Sequence, residues 1–275
     1  MIRSALFALP ATLAMTTAAS ASFHFMQIEQ VIGGVGGNTS AQAIQIRLRS
    51  NGQNQLSFAR IRSFDAAGLN PIILCDMTTT IQPNTGGTRV LIATAAFTSM
   101  TTPTAVPNYT MIPIPADRLA AGRITFEQDN GVIYWSLSYG GAGYTGSNTG
   151  NTSNDVDGNF GPAFGGPLPT TTAQALRFTG LFSALSTSNA ANYALTTGPA
   201  VFNNAVGTSF TVNQPPAPCP ADLNGDGEVN PDDLSDYITC YFESPPCPNA
   251  DFSGDGEVNP DDLSDAINAY FAGCA

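Results

Sequence analysis

Ala43-Ile44-Gln45-Ile46-Arg47-Leu48-Arg49 decides the fold of most of this chain. Ile44, Ile46 and Leu48 alternate with Gln45, Arg47 and Arg49. A period of two sends the aliphatic set to one face of a strand and the polar set to the other, which predicts a half-buried strand. Short runs of the same kind follow at 57–64, 71–75, 89–94, 123–127 and 132–139, with weaker ones at 176–179 and 210–212. Turn clusters separate them: Asn51-Gly52, Pro83-Asn84-Thr85-Gly86-Gly87 and Asp129-Asn130-Gly131. The last, set between Glu127 and Val132, signals a hairpin. Many short strands, frequent turns and no long helical period predict a mostly β domain of β-sandwich or jelly-roll type over residues 22–212. Residues 140–166 form a long loop rich in Gly, Asn, Ser and Thr within it, and a Pro-rich linker at 213–218 closes it.

The chain has 275 residues, 43% hydrophobic and only 11% charged. A core can form, and wholesale disorder is excluded. All nine basic residues are Arg, with a single His and a single Trp. The absence of Lys excludes a P-loop lysine, a Schiff base and a polybasic membrane patch. The net charge of −12 argues against nucleic acid or anionic lipid as partner. That charge is unevenly placed. Residues 219–275 hold 13 acidic and no basic residues, whereas residues 1–218 hold 8 acidic and 9 basic ones. A nearly neutral body carries a tail that either stays disordered or binds cations.

Residues 1–21 read as a secretory signal. Arg3 supplies the positive start, Ala5 to Met15 a short apolar stretch, and Ala19-Ser20-Ala21 the cleavage site, leaving Ser22 as the new terminus. The protein is expected to be secreted or at the cell surface, with no integral membrane segment after signal removal. Four of its five Cys, namely Cys219, Cys240, Cys247 and Cys274, lie in the last 57 residues, and an oxidising compartment suits them. Cys75 is expected to be a buried, inert thiol.

Beyond the linker the sequence repeats at a spacing of 29. Asp222-Leu223-Asn224-Gly225-Asp226-Gly227-Glu228-Val229-Asn230-Pro231-Asp232-Asp233 returns as Asp251-Phe252-Ser253-Gly254-Asp255-Gly256-Glu257-Val258-Asn259-Pro260-Asp261-Asp262. Each is a twelve-residue calcium loop (222–233 and 251–262). Positions 1, 3, 5, 9 and 12 offer side-chain oxygens and position 7 its carbonyl, the set a hard cation needs. The ligands expected for the first ion are Asp222, Asn224, Asp226, Asn230, Asp233 and the carbonyl of Glu228. For the second they are Asp251, Ser253, Asp255, Asn259, Asp262 and the carbonyl of Glu257. Gly227 and Gly256 hold the sharp turn at position 6. Val229 and Val258 are expected to pair the loops. A short helix follows each loop, with Leu234, Ile238 and Tyr241, then Leu263, Ile267 and Tyr270, on one face. The internal symmetry predicts disulfides Cys240–Cys247 and Cys219–Cys274 out of three possible pairings.

Residues 219–275 resemble a type I dockerin. They match its D-x-N-x-D-G-x-V-N-x-x-D-L pattern, its Asp at position 12 and its lack of a helix before the loop, where Pro220 and Pro248 stand. Cys219 and the terminal Gly273-Cys274 resemble a dockerin subgroup that begins with Cys and ends in Gly-Cys. The resemblance implies a small α-helical module binding two calcium ions. It also implies a partner surface at positions 10 and 11, here Pro231, Asp232, Pro260 and Asp261. Dockerins of cellulose-degrading complexes carry small hydroxylated residues there, so the implied partner is a cohesin-like or other surface protein. Residues 22–212 resemble the front domain of exported proteins of this type, a likeness that carries no known activity.

No residue pattern in the body singles out a catalytic pair. Glu29, Asp65, Asp76, Asp117, Glu127, Asp129, Asp155 and Asp157 are the available carboxylates, and a glycosidase needs two of them facing one bond. His24 lies near the mature terminus, a poor place for a base, and Trp135 is expected in the core. Asp155, Asp157 and Asn159 alternate as oxygen donors, which leaves open a third calcium site or a solvated turn. The sequence therefore predicts a non-catalytic β-domain that a calcium-binding module docks or anchors. The alternative is a dockerin-bearing polysaccharide hydrolase or a carbohydrate-binding protein.

Overall fold

The computed structural model describes residues 22–213, 219–225 and 228–273. They fall into two compact units, one ending at Asn213 and the other beginning at Cys219. Residues 1–21, expected to be a secretory signal, and residues 214–218 of the expected linker lie outside the described residues.

The first unit is mainly β. Its strands are β1 (Met26–Ile32), β2 (Ala43–Leu48), β3 (Ala59–Phe64), β4 (Ile72–Met77), β5 (Arg89–Ala93), β6 (Thr101–Thr102), β7 (Tyr109–Thr110), β8 (Gly122–Gln128), β9 (Ile133–Tyr139), β10 (Leu176–Phe178), β11 (Tyr193–Leu195), β12 (Val201–Asn203) and β13 (Ser209–Val212). They build a six-stranded sheet in the order β11-β10-β1-β2-β5-β7, a four-stranded sheet β4-β3-β8-β9 and a three-stranded sheet β12-β13-β6. Two single-turn helices, α1 (Ala95–Thr98) and α2 (Asn189–Asn192), interrupt them. The Asp129-Asn130-Gly131 hairpin forms between β8 and β9, with Gly131 at φ +94° and its N–H donated to Gln128 O at 2.8 Å.

One hydrophobic cluster draws on both larger sheets. Ile28, Ile44 and Ile46 come from β1 and β2; Ile61, Phe126, Trp135 and Leu137 come from β3, β8 and β9. Each such side chain contributes roughly 1.5–3 kcal/mol by leaving water. Trp135 is fully buried, packs against Phe160 and Phe178 at 5.3 and 5.4 Å, and donates its indole N–H to Tyr193 Oη at 2.9 Å. Cys75 is free and buried, and desolvation pushes its thiol up to about 12.

The opposite face of the six-stranded sheet is divided. Leu91, Ala93 and Ala43 pack with Phe97, Phe202, Phe210 and Val212 in a second apolar cluster that brings in the three-stranded sheet. Further along, Gln27, Glu29, Gln45, Arg47 and Arg89 form a polar network. The polar side of β2 is thus not simply solvated: Gln45 is buried and donates to Glu29 Oε2 at 2.8 Å.

In the second unit, α3 (Pro231–Phe242) and α4 (Pro260–Ala272) follow the two loops. Cys240 and Cys247 are bridged, with Cα atoms 5.3 Å apart. Cys219 is not free, and its expected partner Cys274 lies outside the described residues. The buried residues of the helices are Asp233 and Tyr237 in α3 and Asp262 and Ala266 in α4. Ile238, expected on the inward face, is 37% exposed. The inward stripe turns one residue away because Tyr237 reaches across to donate to Ala250 O at 2.9 Å and packs edge-on to Phe252.

Candidate functional site

Each loop feeds its helix through the same local chemistry. Pro231 and Pro260 occupy the first helical position, where a missing N–H costs nothing. Asn230 and Asn259 cap the helices, their side chains accepting from Asp232 and Asp261 N–H at 2.8 Å each. Asp233 and Asp262 complete a capping box, accepting from the N–H of Asn230 at 2.8 Å and of Asn259 at 2.9 Å. Their other oxygens reach back into the loop, to Asn224 N–H at 3.2 Å and Ser253 N–H at 2.9 Å. These backbone donors hold both carboxyls below the ordinary Asp range, chiefly Asn230 N–H for Asp233 and Ser253 N–H for Asp262.

The loop starts match as well. Asp222 Oδ1 accepts from Gly225 N–H at 2.8 Å, and Asp251 Oδ1 from Gly254 N–H at 2.7 Å. Asp251 also takes Asp255 N–H at 3.1 Å and Gly256 N–H at 2.8 Å, while Asp255 Oδ1 takes Glu257 N–H at 2.8 Å. Gly256 at position 6 has φ +91°, a backbone state that other residues resist. Asp226 and Gly227, the corresponding pair of the first loop, lie outside the described residues. Glu228 and Glu257 stand at position 7, where a backbone carbonyl is the expected donor. Val229 and Val258 are 41% and 39% exposed and form no bridge among the described residues.

The donor chemistry fits a hard divalent ion. In the second loop the expected ligands are all oxygens and three of them are carboxylates. Ser253 Oγ lies 3.5 Å from Asp251 Oδ1, and Ser253 N–H binds Asp262, so three ligand positions meet at one residue. Among the described residues, however, no three acidic, His or Cys side chains close into one cluster. The backbone N–H groups of the loop are what the carboxylates hold.

Asp155, Asp157 and Asn159 behave differently. Asp155 is buried, and its Oδ2 takes both the N–H and the hydroxyl of Thr187 at 2.6 Å. Asp155, Asp157 and Asn159 accept in turn from the backbone N–H two residues on, at 3.2, 2.8 and 3.1 Å. The alternate spacing is that of successive Asx turns, which fasten the long loop.

Two buried carboxylates that sequence reasoning did not separate from the rest each sit between two guanidiniums. Glu29 on β1 binds Arg47 at 3.0 Å and Arg89 at 2.7 Å. Burial raises its pKa, but the Arg89 hydrogen bond and the Arg47 charge outweigh it and hold the carboxyl low. Glu127 on β8 binds Arg60 at 3.0 Å and also Arg62. An exchange of two Arg for one carboxylate has no linear signal, because the partners sit on neighbouring strands.

Among the described residues no helix is long and apolar enough to cross a membrane. No protein-family model matches the chain, and searches of curated proteins and of solved structures found no match.

Proposed function

We propose that this is an exported, non-catalytic β-domain that a dockerin-like module docks or anchors in a calcium-dependent way. The observation that carries the reading is the duplicated hydrogen-bond set of the two loops. Positions 1, 3, 9 and 12 make the same contacts in both copies, 29 residues apart. Asp222, Asn224, Asp226, Asn230, Asp233 and the carbonyl of Glu228 would hold one ion. Asp251, Ser253, Asp255, Asn259, Asp262 and the carbonyl of Glu257 would hold the other. Each ion offsets the mutual repulsion of its three carboxylates and so favours the folded loop. Pro231, Asp232, Pro260 and Asp261 are exposed at the helix starts, where a cohesin-like or other surface protein would meet two copies of one surface. The shared core of the two larger sheets supports a β-sandwich for the body, and its two buried strand-borne carboxylates, Glu29 and Glu127, are each tied to arginines.

Calorimetric titration of the full chain with calcium tests this. Two ions per chain are expected, and none for an Asp226→Ala, Asp255→Ala double variant. Two-site binding that survives the double change would refute the loops as the site.

A further inference from the structure

The calcium loops leave unused a row of arginines on the polar half of the six-stranded sheet. The register places Arg177 of β10 opposite Gln30 of β1, and Arg47 of β2 opposite both Gln27 of β1 and Arg89 of β5. Three strand spacings separate β10 from β5, roughly 14 Å. Like charges directly opposite one another are destabilising. Here three guanidiniums face one carboxylate, Glu29, which Arg47 and Arg89 already saturate together with Gln45. Arg177 is exposed and, alone among the described arginines, has a side chain with neither a hydrogen bond nor an ion pair.

Two of the three, Arg47 and Arg177, line an open groove of about 480 Å³ together with Glu29, Phe182, Thr196 and Thr197. Arg47 stacks its guanidinium 4.9 Å from the Phe182 ring centre. Beside the groove, Gln27 Nε2 and Arg47 Nε are buried donors without an acceptor. An excess of positive charge, one exposed guanidinium without a side-chain partner, hydroxyls and one ring in a groove crossing four strands describe a site for a chain-like ligand carrying fixed anions.

We propose that this groove binds an anionic polysaccharide, with Arg177 holding a carboxylate or sulfate group, Arg47 adding its charge from the groove floor, and Phe182, Thr196 and Thr197 contacting the sugar. The planar guanidinium matches both anions in a two-pronged contact. The acidic excess sits in residues 219–275, whereas the part of the chain that carries the groove balances 8 acidic against 9 basic residues; a nucleic acid needs many phosphate contacts, more than the two guanidiniums lining this groove offer.

The test is affinity electrophoresis of the full chain at low ionic strength with a chelator present, so that failure of the calcium reading cannot be mistaken for failure here. Polygalacturonate and dextran sulfate separate carboxylate from sulfate, and neutral dextran and single-stranded DNA serve as comparisons. Retention by at least one acidic polysaccharide is expected, and none by dextran. Arg177→Gln should weaken it about tenfold, as loss of one charged hydrogen-bonding group would, and Arg177→Glu should abolish it. Since the Arg177 side chain makes no hydrogen bond or ion pair, both variants should keep the wild-type near-ultraviolet circular dichroism. No retention by either polymer, retention by DNA alone, or equal retention of Arg177→Glu would overturn the proposal.

Discussion

Glu29 shows how one residue governs the acid response of the body. Its pKa lies below the ordinary 4.5, so its stabilisation is present above about pH 4.5 and is lost as pH falls through the folded value. Glu29→Gln should cost about 2 kcal/mol at pH 7, less than for a fully buried pair because the Arg89 side chain is one-third exposed. The deficit should shrink by pH 3, where the wild-type carboxyl is also being neutralised; urea unfolding at both pH values measures it. Tyr237 plays the matching part in the second unit. Burial pushes its phenol up to about 12, and its hydroxyl satisfies Ala250 O. Tyr237→Phe should therefore cost about 1 kcal/mol and Tyr237→Ala roughly 3–5 kcal/mol, as thermal melts would record. Neither residue stands out in the sequence. Tyr237 falls one place off the aliphatic stripe, and in the second repeat its equivalent is Ala266, so the repeat itself hides it.

At the scale of elements, alternation made β2, β3 and β8 legible, and β9 from Trp135 onward, while β5 showed as an aliphatic run buried on both faces. β1 escaped for a physical reason. Its register shifts between Ile28 and Gln30, so Met26 and Ile28 face the core in one phase and Val31 in the other. A bulge erases the periodic signal of a strand without weakening its pairing. The repeat of the two loops was readable residue by residue because its spacing is local, whereas the Glu29 and Glu127 networks depend on which strands become neighbours. The helices α3 and α4 rest on caps that can be tested apart from any cation. With a chelator present, Asn230→Ala and Asn259→Ala should each lower module stability by about 1 kcal/mol, read from helical circular dichroism on heating. Opening the short loop between Cys240 and Cys247 should cost about 2 kcal/mol by the same measure.

At the scale of the molecule, the two units differ in what stabilises them. The body has a large apolar cluster and close charge balance, while the second unit has 13 acidic residues, no basic ones and few buried side chains. If the loops bind calcium, scanning calorimetry should show one transition that calcium raises by several degrees and one that it leaves in place. A single transition moving as a whole would contradict independent units. The arginines have a consequence of another kind. Arg49 ties Asn154 and Phe182 carbonyls at 3.0 Å, Arg118 ties those of Ser63 and Asn70, and Arg123 holds Ser136 and Thr149. Trypsin cuts only after Lys or Arg, so a folded chain without Lys offers it side chains that are almost all clasped. Arg177 is the exception in its side chain, but β10 is hydrogen-bonded between β1 and β11, so digestion of the native protein should leave residues 22–275 whole, and once denaturant opens the sheet everything from Phe178 to Ala275 should still come off as one fragment.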